Sequence, residues 1–298
     1  MANIETAYTS MFSKRVLETA RQKTSRLRAC VEIENISNAE DAFFEGIGDL
    51  KARRRTTLLE TVNLQEIDQF RRKVIPNPFE VSIPVPDEAK ARLMIDVQSD
   101  FTTKTAEALG REMDFIIIEA MLGGAQQGKT GQTTVNLRPG NVIGKNVGGA
   151  NTSLSVEKLR VANRILDEQE VPREMRKIYA PARAMQSLLS DNEAINSDFA
   201  TVKALVNAEI NEYMGFEFVR GELAREALQG VSIQDASGSA NVVQASTLFG
   251  TPTAPTDDAV LFFQKAGTKV GVIKDITTRV DYRPDILAEQ ITTCMDIG

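Results

Sequence analysis

Four prolines within eleven residues constrain the fold of this chain more than any other feature of its sequence. The stretch "PNPFEVSIPVP" places Val81, Ile83 and Val85 on one side of a β-strand. A proline has no N–H to donate to a sheet ladder, so the four cannot all lie in a central strand: Pro76, Pro78, Pro84 and Pro86. We therefore predict an extended, edge-exposed hairpin within residues 56–97. Such an edge needs a cover, which a second subunit can supply.

Three segments carry apolar residues at the three- and four-residue spacing of a helix: 100–122, 155–170 and 198–214. Asp100 and Ser155 are the predicted N-caps of the first two. Gly215 follows the third and predicts its end. Because strand patterns lie before, between and after these helices, the sequence predicts an α+β fold.

The composition is that of a folded protein, and it disfavours several kinds of chemistry. Hydrophobic residues make up 42% of the 298 residues and charged residues 26%, which argues against disorder. The first residues lack the pattern of a signal peptide and no apolar run approaches a membrane span, so we expect a cytosolic product without membrane contact. The chain has no histidine, and its two cysteines, Cys30 and Cys294, cannot form a disulfide framework or a zinc site. We expect a protein that is not an enzyme, with no catalytic, cofactor or metal site.

Basic residues are concentrated in the first third of the chain. Residues 1–92 hold 15 Lys and Arg against 14 Asp and Glu, a net charge of +1. Because the whole chain has a net charge of −6, residues 93–298 carry a net charge of −7. Basic clusters can contact phosphates, and a non-specific DNA-binding module in residues 1–92 is one alternative. They more often pair with acidic surfaces of a neighbouring chain. We predict such intersubunit contacts for two clusters: Arg53, Arg54, Arg55, Arg71, Arg72 and Lys73.

A nucleotide-binding signature occurs at residues 123–130, where Gly123, Gly128, Lys129 and Thr130 match G-x-x-x-x-G-K-[ST]. A functional P-loop requires a strand before the loop and a helix that starts at its Lys-Thr pair. Here a helical pattern precedes the motif and a Gly-rich stretch follows it. We therefore predict a helix C-cap followed by a surface loop, and a P-loop NTPase is a remote alternative.

One long segment resembles the major capsid proteins of tailed bacteriophages. It is "RKIYAPARAMQSLLSDNEAINSDFATVKALVNAEINEYMGFEFVR", residues 176–220. The segments around it follow the order of that family: a basic arm, a long hairpin, a helix, "SLSVEKLRVANRILDEQEVP" as the long spine helix, and "ITTRVDYRPDILAEQITTCMDIG" as return strands. The resemblance covers most of residues 50–298. Relatives commonly continue into a further strand after "MDIG", which leaves the pairing of residues 287–298 open.

The resemblance implies the phage major-capsid fold, which encapsulins and herpesvirus shells share. Its parts would be an N-terminal arm (1–48), an extended hairpin loop (49–99), a peripheral domain (100–200) with its spine helix (155–170), an axial domain (201–270) and return strands (271–298). The protein would self-assemble into hexamers and pentamers of an icosahedral virion capsid around non-specifically held double-stranded DNA. The other expected partners are scaffolding, portal and decoration proteins, and assembly is expected in the cytoplasm of the bacterial host. An encapsulin-like nanocompartment shell is the alternative within this fold.

Overall fold

The structure is a computed structural model that describes residues 24–37, 39–48, 50–54, 64–86, 97–144, 146–149, 153–190, 212–223, 232–234, 240–242 and 259–298. Within these residues the α-helices are α1 (Val97–Leu122), α2 (Val156–Glu168) and α3 (Ala182–Leu189). The strands before α2 are β1 (Glu32–Asn35), β2 (Ala42–Ile47), β3 (Gln69–Val74), β4 (Asn77–Pro86), β5 (Ala125–Gln127) and β6 (Thr133–Val135). The later strands are β7 (Arg176–Ala180), β8 (Glu212–Tyr213), β9 (Phe216–Arg220), β10 (Ser232–Gln234), β11 (Ala240–Val242), β12 (Leu261–Gln264), β13 (Lys269–Arg283) and β14 (Ala288–Ile297).

The main core lies between α1 and a four-stranded sheet of order β1-β13-β14-β4, which we call the main sheet. Leu109, Met113 and Ile118 of α1 and Met295 of β14 are each at most 2% exposed. A short chain of hydroxyls crosses this core. Thr105 of α1 lies 2.7 Å from the Thr293 hydroxyl, which in turn lies 3.1 Å from that of Thr278. Thr105 and Thr293 are at most 1% exposed, so their hydroxyls satisfy each other where water is excluded.

The proline-rich stretch forms β4 at the edge of the main sheet, which confirms the predicted edge position. Val81 faces the core and Val85 is buried, whereas the prolines within β4 are exposed. Pro78, Pro84 and Pro86 are spaced by even numbers of residues, and such residues direct their backbone groups to the same side of a strand. The nitrogens of all three prolines can therefore point away from β14, so that no hydrogen bond to β14 is lost.

Among the residues that the structure describes, this stretch does not pair within 56–97 as predicted. β4 pairs antiparallel with β14 over its whole length, from Pro86 opposite Ala288 to Asn77 opposite Ile297. β14 also pairs with β13, so both of its edges are used. The described strand that precedes β4 is β3, and it lies in another sheet. The alternation of apolar and polar residues in β4 determines which side chains face the core. It does not identify the partner strand, which lies more than 200 residues away in the sequence.

A second core joins α2 and α3 to the sheet β12-β7-β9-β8. Ser155 caps α2, since its side chain accepts from the Lys158 N–H, as the sequence predicts. Arg176 at the start of β7 is 2% exposed and bonds the carboxylate of Asp167 at 2.7 Å, the amide oxygen of Asn163 at 3.1 Å and two backbone carbonyls. This guanidinium fastens the end of α2 to the sheet.

Two helix predictions need correction at their ends. The N-cap prediction for Asp100 is wrong, because α1 begins at Val97 and Asp100 lies inside the helix. The helix prediction for the last residues of 198–214 is wrong, because Glu212–Tyr213 is strand β8. Met214 and Gly215 then form a tight turn with φ of 53° and 80°, and Gly215 supplies the backbone freedom that such a turn needs. Residues 198–211 lie outside the described part of the chain.

The longest described helix is α1, with 26 residues against 13 for α2. The helix predicted over 155–170 is confirmed as α2. Its assignment as the spine helix of the capsid fold stays a prediction.

Candidate assembly surfaces

The third sheet, of order β2-β3-β5-β6, contains three of the six predicted contact residues, all of them in β3. β2 and β3 form an antiparallel hairpin, from Ala42 opposite Val74 to Ile47 opposite Gln69. We call β2, β3 and the described residues between them the extended hairpin. It begins at Ala42, inside the stretch predicted as the N-terminal arm.

The distal part of the extended hairpin exposes large apolar side chains. Ile47, Leu50 and Leu64 are 71%, 58% and 89% exposed, and Ile67 and Phe70 are nearly half exposed. The Phe70 ring covers Gly46 so closely that a Cβ there would lie 2.2 Å from it, so a larger residue at position 46 would displace the ring. Several exposed apolar side chains at one end of an element are typical of a protein interaction site.

The predicted basic contact residues divide into two groups. Lys73 pairs with Asp41 at 2.6 Å, and Arg71 pairs with Glu45 at 2.9 Å and lies 5.5 Å from the centre of the Phe43 ring. These two side chains therefore hold β2 to β3 within their own chain.

Arg72 alternates with them in β3 and is exposed, as are Arg53 and Arg54 near the tip of the extended hairpin. Arg55 lies outside the described residues. The sequence did not reveal the internal pairs, because they depend on the register of β2 against β3.

The signature at residues 123–130 has the wrong geometry for nucleotide binding. Helix α1 ends immediately before it, and the residues after Gly124 form the β5–β6 hairpin, so the predicted surface loop carries two short strands. Gly128 has a φ of +105° and donates its N–H to the Arg71 carbonyl at 3.2 Å, which removes a donor that a phosphate would need. Lys129 and Phe70 line a cavity of about 270 Å³ where β5 joins β3. The segment therefore braces the extended hairpin.

Residues 24–36 attach the N-terminal region to the body. The carboxylate of Asp114 in α1 is 1% exposed and accepts from the Ser25 hydroxyl at 2.5 Å, the Arg26 N–H at 2.9 Å and the Leu27 N–H at 3.0 Å. Arg28 forms a two-pronged pair with Asp275 of β13, which lowers the pKa of that carboxyl. Sequence reasoning missed Asp114, because its partners lie almost 90 residues away.

Two further groups have pKa values shifted by the fold. Burial raises the pKa of Tyr179 to about 12, and its hydroxyl accepts the Leu223 N–H at 3.1 Å. Hydrogen bonds from Arg176 and Arg173 lower the pKa of Asp167. The Tyr179 hydroxyl and the Asp167 carboxylate both accept hydrogen bonds from other residues of the fold, so their shifted pKa values reflect structural contacts.

The described residues contain no cluster of three or more metal-ligating side chains. None of their helices is long and apolar enough to cross a membrane.

The solved structures that resemble this fold are phage capsids. The fold resembles the capsid of cyanophage P-SCSP1u, with a TM-score of 0.66 at 15% identity over 94% of this chain and 85% of that one. It also resembles the capsid of Ralstonia phage GP4, with a TM-score of 0.67 at 10% identity over 95% and 88%. Cyanophage Pam1 gives 0.60 at 14% identity over 93% and 88%. No curated protein matches the chain.

The family model described as "Phage capsid protein" matches residues 4–298. The chain therefore belongs to the family of phage capsid proteins, and its function is that of a major capsid protein. This confirms the predicted fold class and places the protein in the virion capsid as a structural, self-assembling component. The P-loop interpretation is wrong.

Proposed function

We propose that the chain assembles into hexamers and pentamers of an icosahedral shell around double-stranded phage DNA, and that the extended hairpin makes the main contact with the neighbouring subunit. The observation that carries this proposal is the exposure of apolar side chains at the hairpin tip. Apolar side chains that extend beyond the sheet into solvent are stabilised when a neighbour covers them.

The energetics favour assembly from many modest contacts. Burial of apolar surface contributes about 25 cal/mol per Å², so a tip that buries roughly 300 Å² supplies on the order of 7 kcal/mol before the costs of association. Each subunit of a closed shell would both insert a hairpin and receive one. The contacts then reinforce one another, because a subunit held by several neighbours dissociates rarely.

Charge would orient the contact. The exposed Arg53, Arg54 and Arg72 would approach the acidic surface of a neighbour, whose residues 93–298 carry the net negative charge of the chain. Arg55 belongs to the same proposal. Exposed ion pairs contribute less than about 1 kcal/mol each, so they select the register rather than hold the shell together.

The remaining partners follow from enclosure of DNA. A closed shell of identical subunits has no opening of its own, so DNA entry would require a portal at one vertex. Scaffolding and decoration proteins would set the shell size and reinforce the outer surface. Assembly would take place in the host cytoplasm, the DNA would be held without sequence recognition, and the chain would act by assembly rather than catalysis.

Electron microscopy of the expressed protein tests this proposal. The wild-type chain is expected to form closed shells or capsomers, and the Leu50→Asp/Leu64→Asp variant is expected to remain a folded, unassembled subunit. The matched control is Leu137→Asp, an exposed leucine of 42% exposure outside the extended hairpin, and it should assemble like the wild type. A wild-type chain that stays monomeric under all conditions, or a tip variant that assembles normally, would contradict the proposal.

A further inference from the structure

The edge of β13 that faces away from β14 pairs with a described strand over only its first residues. Its first residues, Lys269–Val272, pair in parallel with β1, and the Ile36 N–H extends this contact to the Val272 carbonyl. Register shifts then interrupt the β13–β14 ladder between Val272 and Thr277. From Thr277 to Arg283 the ladder is regular on the β14 side, while no described strand pairs with the other edge. We call residues 277–283 the open edge.

The open edge is long, accessible and only partly protected. All of its residues are exposed, including Val280 at 37% and Tyr282 at 53%. An edge of this length that no described strand covers offers backbone donors and acceptors to another strand. Proteins normally block such an edge with a bulge, a proline or a charge, and here two charges flank Val280.

The charges of the open edge are self-complementary. If two copies pair antiparallel about a two-fold axis at Val280, Arg279 of each copy lies opposite Asp281 of the other. Neither Arg279 nor Asp281 has a salt-bridge partner among the residues the structure describes, whereas Arg283 is already paired with Asp285 at 2.9 Å. Opposite charges that face each other across a strand pair stabilise it, and like charges destabilise it.

Neighbouring registers fail this test. A two-fold axis at Arg279 places that residue opposite its own copy, and an axis at Asp281 does the same for the carboxylate. An axis at Tyr282 would recruit residues 284–287, which form the turn before β14 and include Asp285, the internal partner of Arg283. The axis at Val280 uses only the regular ladder, with Thr277 opposite Arg283 at each end.

We propose that the open edge of β13 pairs antiparallel with the same edge of a second copy, about a two-fold axis at Val280, to form a continuous sheet across two subunits. The occupant is this chain itself, because the Arg279–Val280–Asp281 order complements its own reverse. The contact is isologous, and a closed icosahedral shell contains two-fold axes that relate pairs of subunits. The inference therefore rests on the proposed shell and adds a contact distinct from the extended hairpin.

Cysteine cross-linking tests the register. In Val280→Cys shells, mild oxidation is expected to join two copies through residue 280, because residues at the axis face each other at about 5 Å between Cβ atoms. The matched control is Tyr282→Cys. Its two copies would lie four residues apart along the strands, about 13 Å, and should not cross-link. Peptide mass spectrometry identifies the linked residues and separates them from Cys30 and Cys294.

Charge exchange gives a second, independent measurement. Arg279→Asp or Asp281→Arg alone places like charges opposite each other twice, and each is expected to lower the 280–280 cross-link yield about tenfold. The double variant Arg279→Asp/Asp281→Arg restores two opposite-charge pairs and should recover most of the wild-type yield. Circular dichroism checks that the single variants remain folded.

The outcomes separate the two proposals. Wild-type-like shells without a 280–280 cross-link, or with residue 280 linked to a different position, would overturn the two-fold contact and leave the shell proposal intact. A double variant that cross-links no better than the single variants would also overturn it. A wild-type chain that forms no shells contradicts the proposed function instead.

Discussion

The body of the molecule, made of the two cores and their sheets, buries its charged and apolar side chains, whereas the extended hairpin exposes residues of the same types. In the body, Arg176 is 2% exposed and its guanidinium is engaged on every side by α2 and the residues that follow it. In the extended hairpin, Arg72 is exposed, and leucines that would fill a core elsewhere face solvent. The cores of the body are packed within one chain, whereas the hairpin is organised for a surface that another chain provides. The predictions below break or sharpen this difference, from the largest expected effect to the smallest.

The buried guanidinium should dominate the stability of the second core. Arg176→Ala removes hydrogen bonds to Asn163 and to two backbone carbonyls and leaves Asp167 with Arg173 alone, and is expected to lower the free energy of unfolding by about 4 kcal/mol. Urea denaturation of the unassembled subunit measures this. Arg72→Ala in the extended hairpin is the matched control, with an expected change below about 0.5 kcal/mol. Equal losses in the two variants would contradict the contrast.

High pH should loosen the body through Tyr179. Its folded pKa of about 12 lies above the ordinary value of 10, so the stabilisation is complete below pH 10 and is lost as the pH rises towards 12. The expected loss by pH 12 is about 2 kcal/mol. Tyr179→Phe removes the titrating hydroxyl and should flatten this limb of the pH profile. A wild-type profile that matches the variant between pH 10 and 12 would show that the hydroxyl is not buried in solution.

Low pH should weaken the attachment of the N-terminal segment by a smaller amount. The Asp275 pKa is lowered by Arg28, so the pair stabilises the fold above the ordinary carboxyl pKa near 4 and is lost as the pH falls through the lowered value. The pair is half exposed, so the expected loss is below about 1 kcal/mol. Asp275→Asn should remove this part of the acid dependence in thermal unfolding below pH 4. An unchanged acid limb in the variant would assign the effect to other carboxylates.

Substitutions at the hairpin tip should have the smallest effect on folding and a large effect on assembly. Leu64→Ser changes a side chain that is 89% exposed, so we expect less than 0.5 kcal/mol in the unassembled subunit. Light scattering of assembling protein should nevertheless show a raised critical concentration. A variant that unfolds more easily but assembles like the wild type would reverse the roles given to the two regions.

Local sequence predicted the features that depend on neighbours along the chain. The prolines of β4 predicted an edge strand, Ser155 predicted the cap of α2, and the helical pattern before Gly123 predicted that the nucleotide signature has the wrong surroundings. The family resemblance supplied the order of the parts, which local patterns alone do not determine.

Features that depend on distant pairing were not predictable. The partner of β4 is β14, and the partner of Asp114 is the turn at residues 25–27, both far away along the chain. Lys73 pairs with Asp41 only because β2 and β3 adopt one particular register. The internal pairing of Arg71 and Lys73 therefore narrows the proposed contact residues to those that remain exposed.

Hydrogen exchange on unassembled subunits and on purified shells tests the central claim most directly, namely that the extended hairpin is completed by a neighbouring chain. The account predicts that amides of β2 and β3 exchange quickly in the unassembled subunit and become protected in the shell, while those of α1 and β7 are protected in both states. Equal protection of β2 and β3 in the two states would contradict the account.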